Sequence, residues 1–300
     1  MSELKKDDGI VILGHPRSGT TLLRRLLNGH ENLHCPGETH VLNACARFIQ
    51  AEHTADGLDM GVLAGMSFVG MSDGQVLDKL RHFAFELLSF STQNTTKRWV
   101  EKTAADSFYI DEIDTLFGEH AKFIGIVRHG LDVAISCKEF SDASGMYINM
   151  FKSYIRQYEQ PIEAMLHSWM DVTYKLMNFA ERHPANCLLI RYEDLLEQPK
   201  EVLEYVCEFI NEPYTDNMLT EGLANTIDLG LSDPKCMEKE KIDKSNVNKW
   251  DKLPGYQLSR LAEIANPLLE KLGYTEITNV EEVSLTLARR QYEISLAIKR

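Results

Sequence analysis

A short loop near the start of the chain has the residue types of an anion-binding site. It reads GHPRSGTT over residues 14–21 and is bracketed by Gly14 and Gly19. This nearly matches the nucleotide-binding pattern G-x-x-x-x-G-K-[ST], but Thr20 stands where the lysine should be. Backbone N–H groups, the loop hydroxyls and the Arg17 guanidinium all suit phosphate-like oxygens. The loop therefore predicts an anion site that lacks the lysine of a nucleoside triphosphatase.

Three apolar runs position this loop and two others. GIVIL, AKFIGIV and NCLLI predict buried parallel strands, and each leads into a segment with helical spacing. Alternating strands and helices indicate an α/β fold, a single domain with a P-loop-type parallel sheet flanked by helices on both faces. The loops GHPRSGTT, RHGLDVAIS and RYEDLL follow these strands. They leave the carboxyl edge of the sheet, where ligands bind in such folds.

The remaining pattern predicts further elements. RWVEK is a short strand, and the residues 75–90 and 199–211 are helical. The first helix is expected to end at Asn28 before a glycine, and another to begin near Leu131. The stretch 146–182 is aromatic-rich and helical, with a second segment opening at a proline.

Bulk properties limit the classes of function. The chain has 300 residues, a formal net charge of −13 and no internal repeat. We expect one domain over 1–300, with a core over about 9–275 and a C-terminal helix over about 280–298. Core packing is the expected role of that helix, and a homodimer contact is the alternative. The acidic balance argues against a large basic surface for nucleic acid or an anionic membrane.

Other features predict a cytoplasmic protein without a membrane anchor. The chain has no run of about 18 apolar residues, the length that a transmembrane helix needs. The start, MSELKKDDGI, lacks the apolar core of a signal peptide. The six cysteines are scattered without a C-x-x-C pair, which favours reduced thiols over a disulfide framework.

Three motifs together resemble a known family. HPRSGTTLL, IVRHGLDVAIS and LLIRYEDLLEQP occur in this order within about residues 9–210. They are similar to motifs of the sulfotransferases that use 3′-phosphoadenosine 5′-phosphosulfate (PAPS). The P-R-S-G-T-T form of the first motif resembles the tyrosylprotein and bacterial branches. The resemblance implies an enzyme that uses PAPS as donor, releases 3′-phosphoadenosine 5′-phosphate (PAP) and requires no metal.

The resemblance also implies the residues that bind the donor. The 5′-phosphosulfate would be held by Arg17, Ser18, Gly19, Thr20 and Thr21. The 3′-phosphate would be held by Arg128, which closes a strand, and by Ser136, which follows eight residues later. The alternative role for Arg128 is a structural salt bridge, and the alternative for Ser136 is likewise a structural role. Tyr192 lies near the nucleotide or in the core. Lys244, counted back from Trp250, matches a lid lysine of the cytosolic branch, or belongs to a solvated loop.

Two residues are candidates for catalysis. Lys102 follows the strand in WVEKTAADSF and resembles the lysine that supports the leaving group in the tyrosylprotein branch. An ordinary surface lysine is the alternative. Glu38 follows a Pro-Gly turn in CPGETH and is the candidate general base. His40 and His53 are its rivals, because the cytosolic branch uses a histidine.

One motif is a decoy. HENLH over residues 30–34 satisfies the zinc-protease pattern H-E-x-x-H. That pattern binds metal only in the middle of a helix, where positions i and i+4 share a face. A glycine precedes the motif and Cys-Pro-Gly follows it, so no helix is expected and no metal site is predicted.

These observations predict a sulfotransferase that moves a sulfuryl group to a hydroxyl, or less readily an amine, of a small molecule. The setting that best suits a free-standing chain of this kind is bacterial secondary metabolism. Residues 42–75 are expected to line the acceptor side. Two alternatives remain open from the residues: a P-loop kinase that uses ATP and Mg²⁺, and a nucleotide-binding protein without catalysis.

Overall fold

The computed structural model describes most of the chain. Described are residues 9–224 and 242–278, apart from positions 54, 56, 58, 146 and 148, together with residues 290, 293 and 294. The described chain forms two compact units, one from residues within 1–128 and 172–244 and the other from residues within 129–171 and 245–300. The predicted C-terminal helix over 280–298 lies outside the described residues, except for residues 290, 293 and 294.

The first unit is built on a parallel sheet. Its strand order is β2-β5-β1-β6-β7, with β1 at Gly9–Leu13, β2 at Leu33–His34, β5 at Arg98–Glu101, β6 at Lys122–Val127 and β7 at Cys187–Arg191. Two further strands, β3 (Glu52–His53) and β4 (Asp59–Met60), form a separate antiparallel pair. The three apolar runs and RWVEK are thus confirmed as strands.

Strand register brings the ends of four strands to one edge. Val11 of β1 lies opposite Glu101 of β5, and Val127 of β6 lies opposite Arg191 of β7. The segments that follow these strands therefore leave from the same side of the sheet. Every residue of β1 is buried, which explains why its sequence is apolar throughout instead of alternating.

Helices alternate with the strands. They are α1 (Thr20–Asn28), α2 (Val41–Ile49), α3 (Val62–Ser67), α4 (Asp73–Ser89), α5 (Ile110–Phe117), α6 (Gly130–Ser144), α7 (Lys152–Gln157), α8 (Pro161–Arg182), α9 (Tyr192–Glu197), α10 (Pro199–Phe209), α11 (Asn217–Ala224) and α12 (Gly255–Lys271). Local signals explain several boundaries. Ser72 and Gln75 form a capping box at the start of α4, and Pro199 occupies the first turn of α10.

The core of the first unit lies around β1 and β6. Three leucines of α1 and the apolar face of α5 are fully buried there; the leucines are Leu23, Leu26 and Leu27. Phe123 meets Phe179 edge to face at a centroid distance of 4.8 Å. The predicted α/β fold, with a parallel sheet flanked by helices, is confirmed. In the part of the chain that the structure covers, no helix has the length and apolar character needed to cross a membrane.

Candidate active site

The glycine-bracketed loop joins β1 to α1 at the carboxyl edge of the sheet. Gly14 N–H donates to Ser107 Oγ (2.8 Å), and that hydroxyl donates to Gly14 O (2.9 Å). The loop then turns through two residues with positive φ, Arg17 at 75° and Gly19 at 99°. Ser107 thus holds the start of the loop, and the left-handed Gly19 directs the chain into α1.

The residues of this loop suit an oxyanion. The leading N–H groups of a helix lack intrahelical acceptors, and within the described residues no side chain caps the first turn of α1. Ser18 is only 1% exposed, and its Oγ has no hydrogen-bond partner among the described atoms. A buried hydroxyl without a partner is unfavourable unless a ligand supplies one. The predicted group of residues 17–21 therefore has the donors that a phosphosulfate requires.

Two more predicted residues contact the loop. An added Cβ at Gly19 would lie 2.3 Å from Cδ2 of Tyr192, so the tyrosine ring packs directly against the glycine. The Arg128 guanidinium lies over the ring of Tyr192, with its Cζ atom 4.8 Å from the ring centroid. Arg128 Nη1 also donates to the carbonyl of Arg17 at 2.8 Å. The fold thus joins the ends of β6 and β7 to the loop.

The two candidate catalytic residues form an ion pair. Lys102 Nζ lies 2.5 Å from Glu38 Oε1. The lysine side chain is 1% exposed and the glutamate 21%, so Lys102 is not the surface lysine considered as an alternative. A buried ammonium needs a carboxylate partner, because leaving it unpaired in a low dielectric is costly. Glu38 is the member of the pair that solvent reaches.

Two buried carboxyl groups lie behind this ion pair. Glu101 accepts hydrogen bonds from the hydroxyls of Thr103 (2.6 Å) and Thr39 (2.8 Å). Burial raises the pKa of Glu101, and these hydroxyls and Lys102 partly oppose the change. Burial, and then the charge of Glu101, raise the pKa of Asp106 well above its usual value. Asp106 Oδ2 has no partner among the described atoms, so Asp106 holds a proton more readily than Glu101 does.

His40 is held in this cluster by an amide. Asn43 Oδ1 accepts from Arg47 (2.7 Å), so Nδ2 of Asn43 is the donor to Asp106 Oδ1 (2.8 Å) and to His40 Nδ1 (3.2 Å). Because Nδ1 accepts, the proton of the neutral His40 ring lies on Nε2. In that state His40 offers a donor to a ligand. This geometry favours Glu38 over His40 as the base.

The other predicted site residues have these positions. Ser136 is a buried residue of α6, and Lys244 begins a short 3-10 turn at Lys244–Asn246. His53 lies in β3, in register with Asp59 of β4. Their predicted roles stay predictions.

In the second unit, the segment around Trp250 is anchored by an acidic residue that the sequence analysis did not single out. Asp132 of α6 accepts from the backbone N–H groups of Asn248 (2.8 Å) and Trp250 (3.2 Å). The His129 ring stacks on Trp250 with an interplanar angle of 12° and meets Tyr274 edge to face. The motif RHGLDVAIS therefore also fixes the backbone of the predicted lid motif.

Sequence reasoning missed the polar residues that support the site. Ser107, Asp106 and Glu101 all lie in or beside the segment EKTAADS, and Asn43 lies in α2. The one available signal was the density of polar residues directly after β5, at the edge where the first loop also begins. The decoy HENLH is confirmed as non-helical, since it spans a turn and β2.

Comparison with known proteins agrees with the motifs. The family model described as "Sulfotransferase family" matches residues 9–216. Protein-tyrosine sulfotransferase A of Caenorhabditis elegans is 25% identical over 93% of this chain and 72% of its own length. Protein-tyrosine sulfotransferase 2 of Gallus gallus is 25% identical over 90% of this chain and 70% of its own length.

Solved structures show the same fold. The sulfotransferase domain from the curacin biosynthetic pathway has a TM-score of 0.60 and 23% identity, covering 89% of this chain and 98% of the domain. The sulfotransferase domain of the Synechococcus PCC 7002 olefin synthase has a TM-score of 0.55 and 22% identity, covering 88% and 98%. The family model covers more than half of the chain, and the fold agrees with it. The chain is therefore an enzyme of the sulfotransferase family.

Proposed function

We propose that this sulfotransferase moves the sulfuryl group of PAPS to a hydroxyl, or secondarily an amine, of a small molecule. The observation that carries the donor is the loop of residues 14–21, with its buried, unpartnered Ser18 hydroxyl and its contact with Arg128. Residues 17–21 bind the 5′-phosphosulfate. Arg128 and Ser136 bind the 3′-phosphate, Lys244 adds charge from the lid, and Tyr192 supports the loop beside the nucleotide.

In the proposed reaction Glu38 removes the proton from the acceptor hydroxyl as the oxygen of that hydroxyl attacks the sulfur of PAPS. The new bond joins acceptor oxygen to sulfur, and the bond from sulfur to the bridging phosphate oxygen breaks. Its electron pair leaves with PAP. The Lys102 ammonium stabilises the charge that develops on the bridging oxygen. The products are a sulfate ester, PAP and a proton on Glu38, which water then takes up.

The ion pair of Lys102 with Glu38 suits these roles. Each group neutralises the other before the substrates bind, so neither is left as an unpaired buried charge. As the acceptor proton reaches Glu38, its carboxylate loses charge and the Lys102 ammonium becomes available to the leaving oxygen. The pair thus couples proton removal to stabilisation of the leaving group. His40 and His53 remain the rival bases in this scheme.

The acceptor and the compartment belong to the same proposal. The described cysteines are all buried and form no disulfide within the described residues, in keeping with a reducing cytoplasm; they are Cys35, Cys45, Cys137, Cys187 and Cys207. A small metabolite, of the kind made in bacterial secondary metabolism, is the first acceptor class to test. The relatives named as protein-tyrosine sulfotransferases make a tyrosyl peptide the second.

Thermal unfolding with PAP tests the donor. At a PAP concentration 100 times its Kd, binding adds about 2.7 kcal/mol to the free energy of unfolding, so Tm rises with PAP concentration. Arg128→Ala should abolish most of this rise. The matched control is Arg182→Ala, since Arg182 is a half-exposed arginine that pairs with Asp114. A larger rise with ATP and Mg²⁺ than with PAP would favour a kinase and contradict the proposal.

A further inference from the structure

An apolar cavity opens beside the α2 helix in the first unit. Its volume is about 310 Å³, and it is lined by Phe48, Val62, Met66, Met71, Val76, Lys79, Leu80 and Phe83. These residues come from α2, α3, α4 and the turn between the last two helices. The volume falls at the lower end of the range for small-molecule sites.

The cavity has an exposed apolar rim. Phe48 is 53% exposed and Phe83 is 54% exposed, which is unusual for two phenylalanines on one depression of a surface. Lys79 is exposed, and its side chain makes no hydrogen bond or ion pair with the described residues. The rim therefore offers apolar contact and one cation, which favours a neutral or anionic occupant over a cationic one.

One face of α2 runs from this cavity towards the segment that carries Glu38. Val41, Ala44 and Phe48 follow the i, i+3, i+7 spacing of a single helix face, and Ala44 and Phe48 are exposed. Val41 lies three residues after Glu38 at the start of the helix. Seven residues of helix rise about 11 Å. An elongated molecule along this face would have one end near Glu38 and the other in the cavity.

We propose that the cavity binds the apolar chain of the acceptor whose hydroxyl lies at Glu38. This proposal rests on the proposed function and specifies its substrate class. An extended chain gains about 1.2 Å for each bond, so at least about nine bonds separate the hydroxyl from the part that fills the cavity. The acceptor is thus an elongated aliphatic or aryl-alkyl alcohol that is neutral or anionic at its far end.

Calorimetric binding of linear alcohols to the protein without donor tests the cavity independently of turnover. Affinity should rise about fourfold for each methylene from nonan-1-ol to dodecan-1-ol, the lengths at which the chain passes about nine bonds and its added methylenes are buried in the cavity. In Phe83→Asp and Phe48→Asp this dependence on chain length should disappear. Phe90→Asp is the matched control, because Phe90 is an exposed phenylalanine that does not line the cavity. A retained Tm rise with PAP shows that each variant is folded.

Turnover with PAPS is the second readout. The same alcohols should show kcat/KM rising with chain length in the normal protein and in Phe90→Asp, and remaining flat in Phe83→Asp. Binding that depends on chain length without any sulfated product would support the cavity while contradicting the proposed function. Equal affinities for all alcohols would overturn the cavity proposal. A dimer seen in sedimentation that dissociates in Phe83→Asp would also overturn the cavity proposal. A tyrosyl peptide that Phe83→Asp and the normal protein sulfate equally well would overturn it too.

Discussion

The arrangement of Glu38 and Lys102 shows how one side chain sets the chemistry of another. Lys102 is buried at the end of β5, where a lone ammonium would be strongly destabilised. Glu38 supplies the counter-charge from the other side of the site and keeps a water-accessible edge. Behind the lysine lie two buried acids, Glu101 and Asp106, and burial raises the pKa of both.

Glu38→Gln should lower kcat at least 100-fold, because the amide cannot accept the acceptor proton. The amide keeps the volume of the side chain but leaves Lys102 without its counter-charge, so the free energy of unfolding should fall and the anion PAP should bind at least as tightly as before. The measurement is kcat from PAP release, with PAP affinity by thermal shift. Glu31→Gln serves as the control, since Glu31 is exposed outside the site. If Glu38→Gln retained nearly full kcat, His40 or His53 would replace Glu38 as the base.

The buried His15 should make stability depend on pH. Burial lowers the pKa of His15 from 6.5 to about 4, against the opposing effect of its hydrogen bond to Pro16 O. Between these values the unfolded chain binds a proton that the native protein does not. Stability from this residue is therefore full above about pH 6.5 and is lost as the pH falls towards 4.

His15→Asn should remove that dependence, because the amide nitrogen can still donate to Pro16 O but does not titrate. Urea unfolding at pH 7.5 and pH 4.5 should show a difference of about 2.5 kcal/mol between the pH responses of the normal protein and the variant. His82→Asn changes an exposed histidine in the same way and should leave the response as it is. Identical pH responses of His15→Asn and the normal protein would show that His15 titrates normally.

The segments between strands and helices decide where these side chains meet. β1 and α1 form where the pattern predicts them, since an apolar run and a glycine-bracketed turn are local signals. The turn itself depends on distant contacts, with Ser107 at one end and Tyr192 at the other. A loop that must be left-handed at Gly19 and packed against an aromatic ring tolerates no side chain there.

Gly19→Ala should disrupt the loop. The added methyl group would lie 2.3 Å from the Tyr192 ring, and φ of 99° is unfavourable for alanine. We expect a loss of about 2–3 kcal/mol in the free energy of unfolding and at least a 30-fold loss of PAP affinity.

Two comparisons separate the causes of this effect. The double variant Gly19→Ala with Tyr192→Ala should recover part of the PAP affinity, because the clash is gone and the strained φ remains. Gly74→Ala in α4 meets nothing within 4 Å and should instead stabilise the protein by about 0.5–1 kcal/mol. Unchanged PAP affinity in Gly19→Ala would contradict the assigned role of the loop.

The chain as a whole combines a net charge of −13 with a proposed site for a polyanionic donor. Local cations resolve this conflict, because Arg17, Lys102 and Arg128 lie at one sheet edge within an acidic protein.

Four of the described cysteines have thiols whose pKa is raised by burial. Burial raises the pKa of Cys35 and Cys187 to about 12 and that of Cys45 and Cys207 to about 11.

These thiols should therefore be unreactive in the native protein. In a Cys236→Ser background, labelling with 5,5′-dithiobis(2-nitrobenzoate) at pH 8 should be slow and should follow global unfolding. In 6 M guanidinium chloride all five remaining thiols of the same protein should react with the reagent. One thiol that reacts within seconds in the native protein would identify an exposed cysteine and contradict this expectation.

The sequence alone was sufficient for the positions of the main strands along the chain and for the glycine-bracketed turn after the first of them, because both depend on neighbours along the chain. It also identified Glu38 and Lys102 as separate candidates. Their contact across 64 positions was decided by the fold, since pairing between β1 and β5 brings the end of β5 to the site. Residues such as Ser107, Asp106 and Asn43 have no local signature.

Each of these polar residues has a partner far along the chain: Ser107 bonds Gly14 across 93 positions, and Asp106 and Asn43 bond each other across 63 positions. The same holds for the cavity beside α2, whose walls come from three helices and a turn. The tertiary structure also decided that Lys102 is a buried ion-pair partner instead of a surface residue. The loop GHPRSGTT could thus be read from its own residues, whereas its supports and the acceptor side depend on burial and proximity that only the folded chain creates.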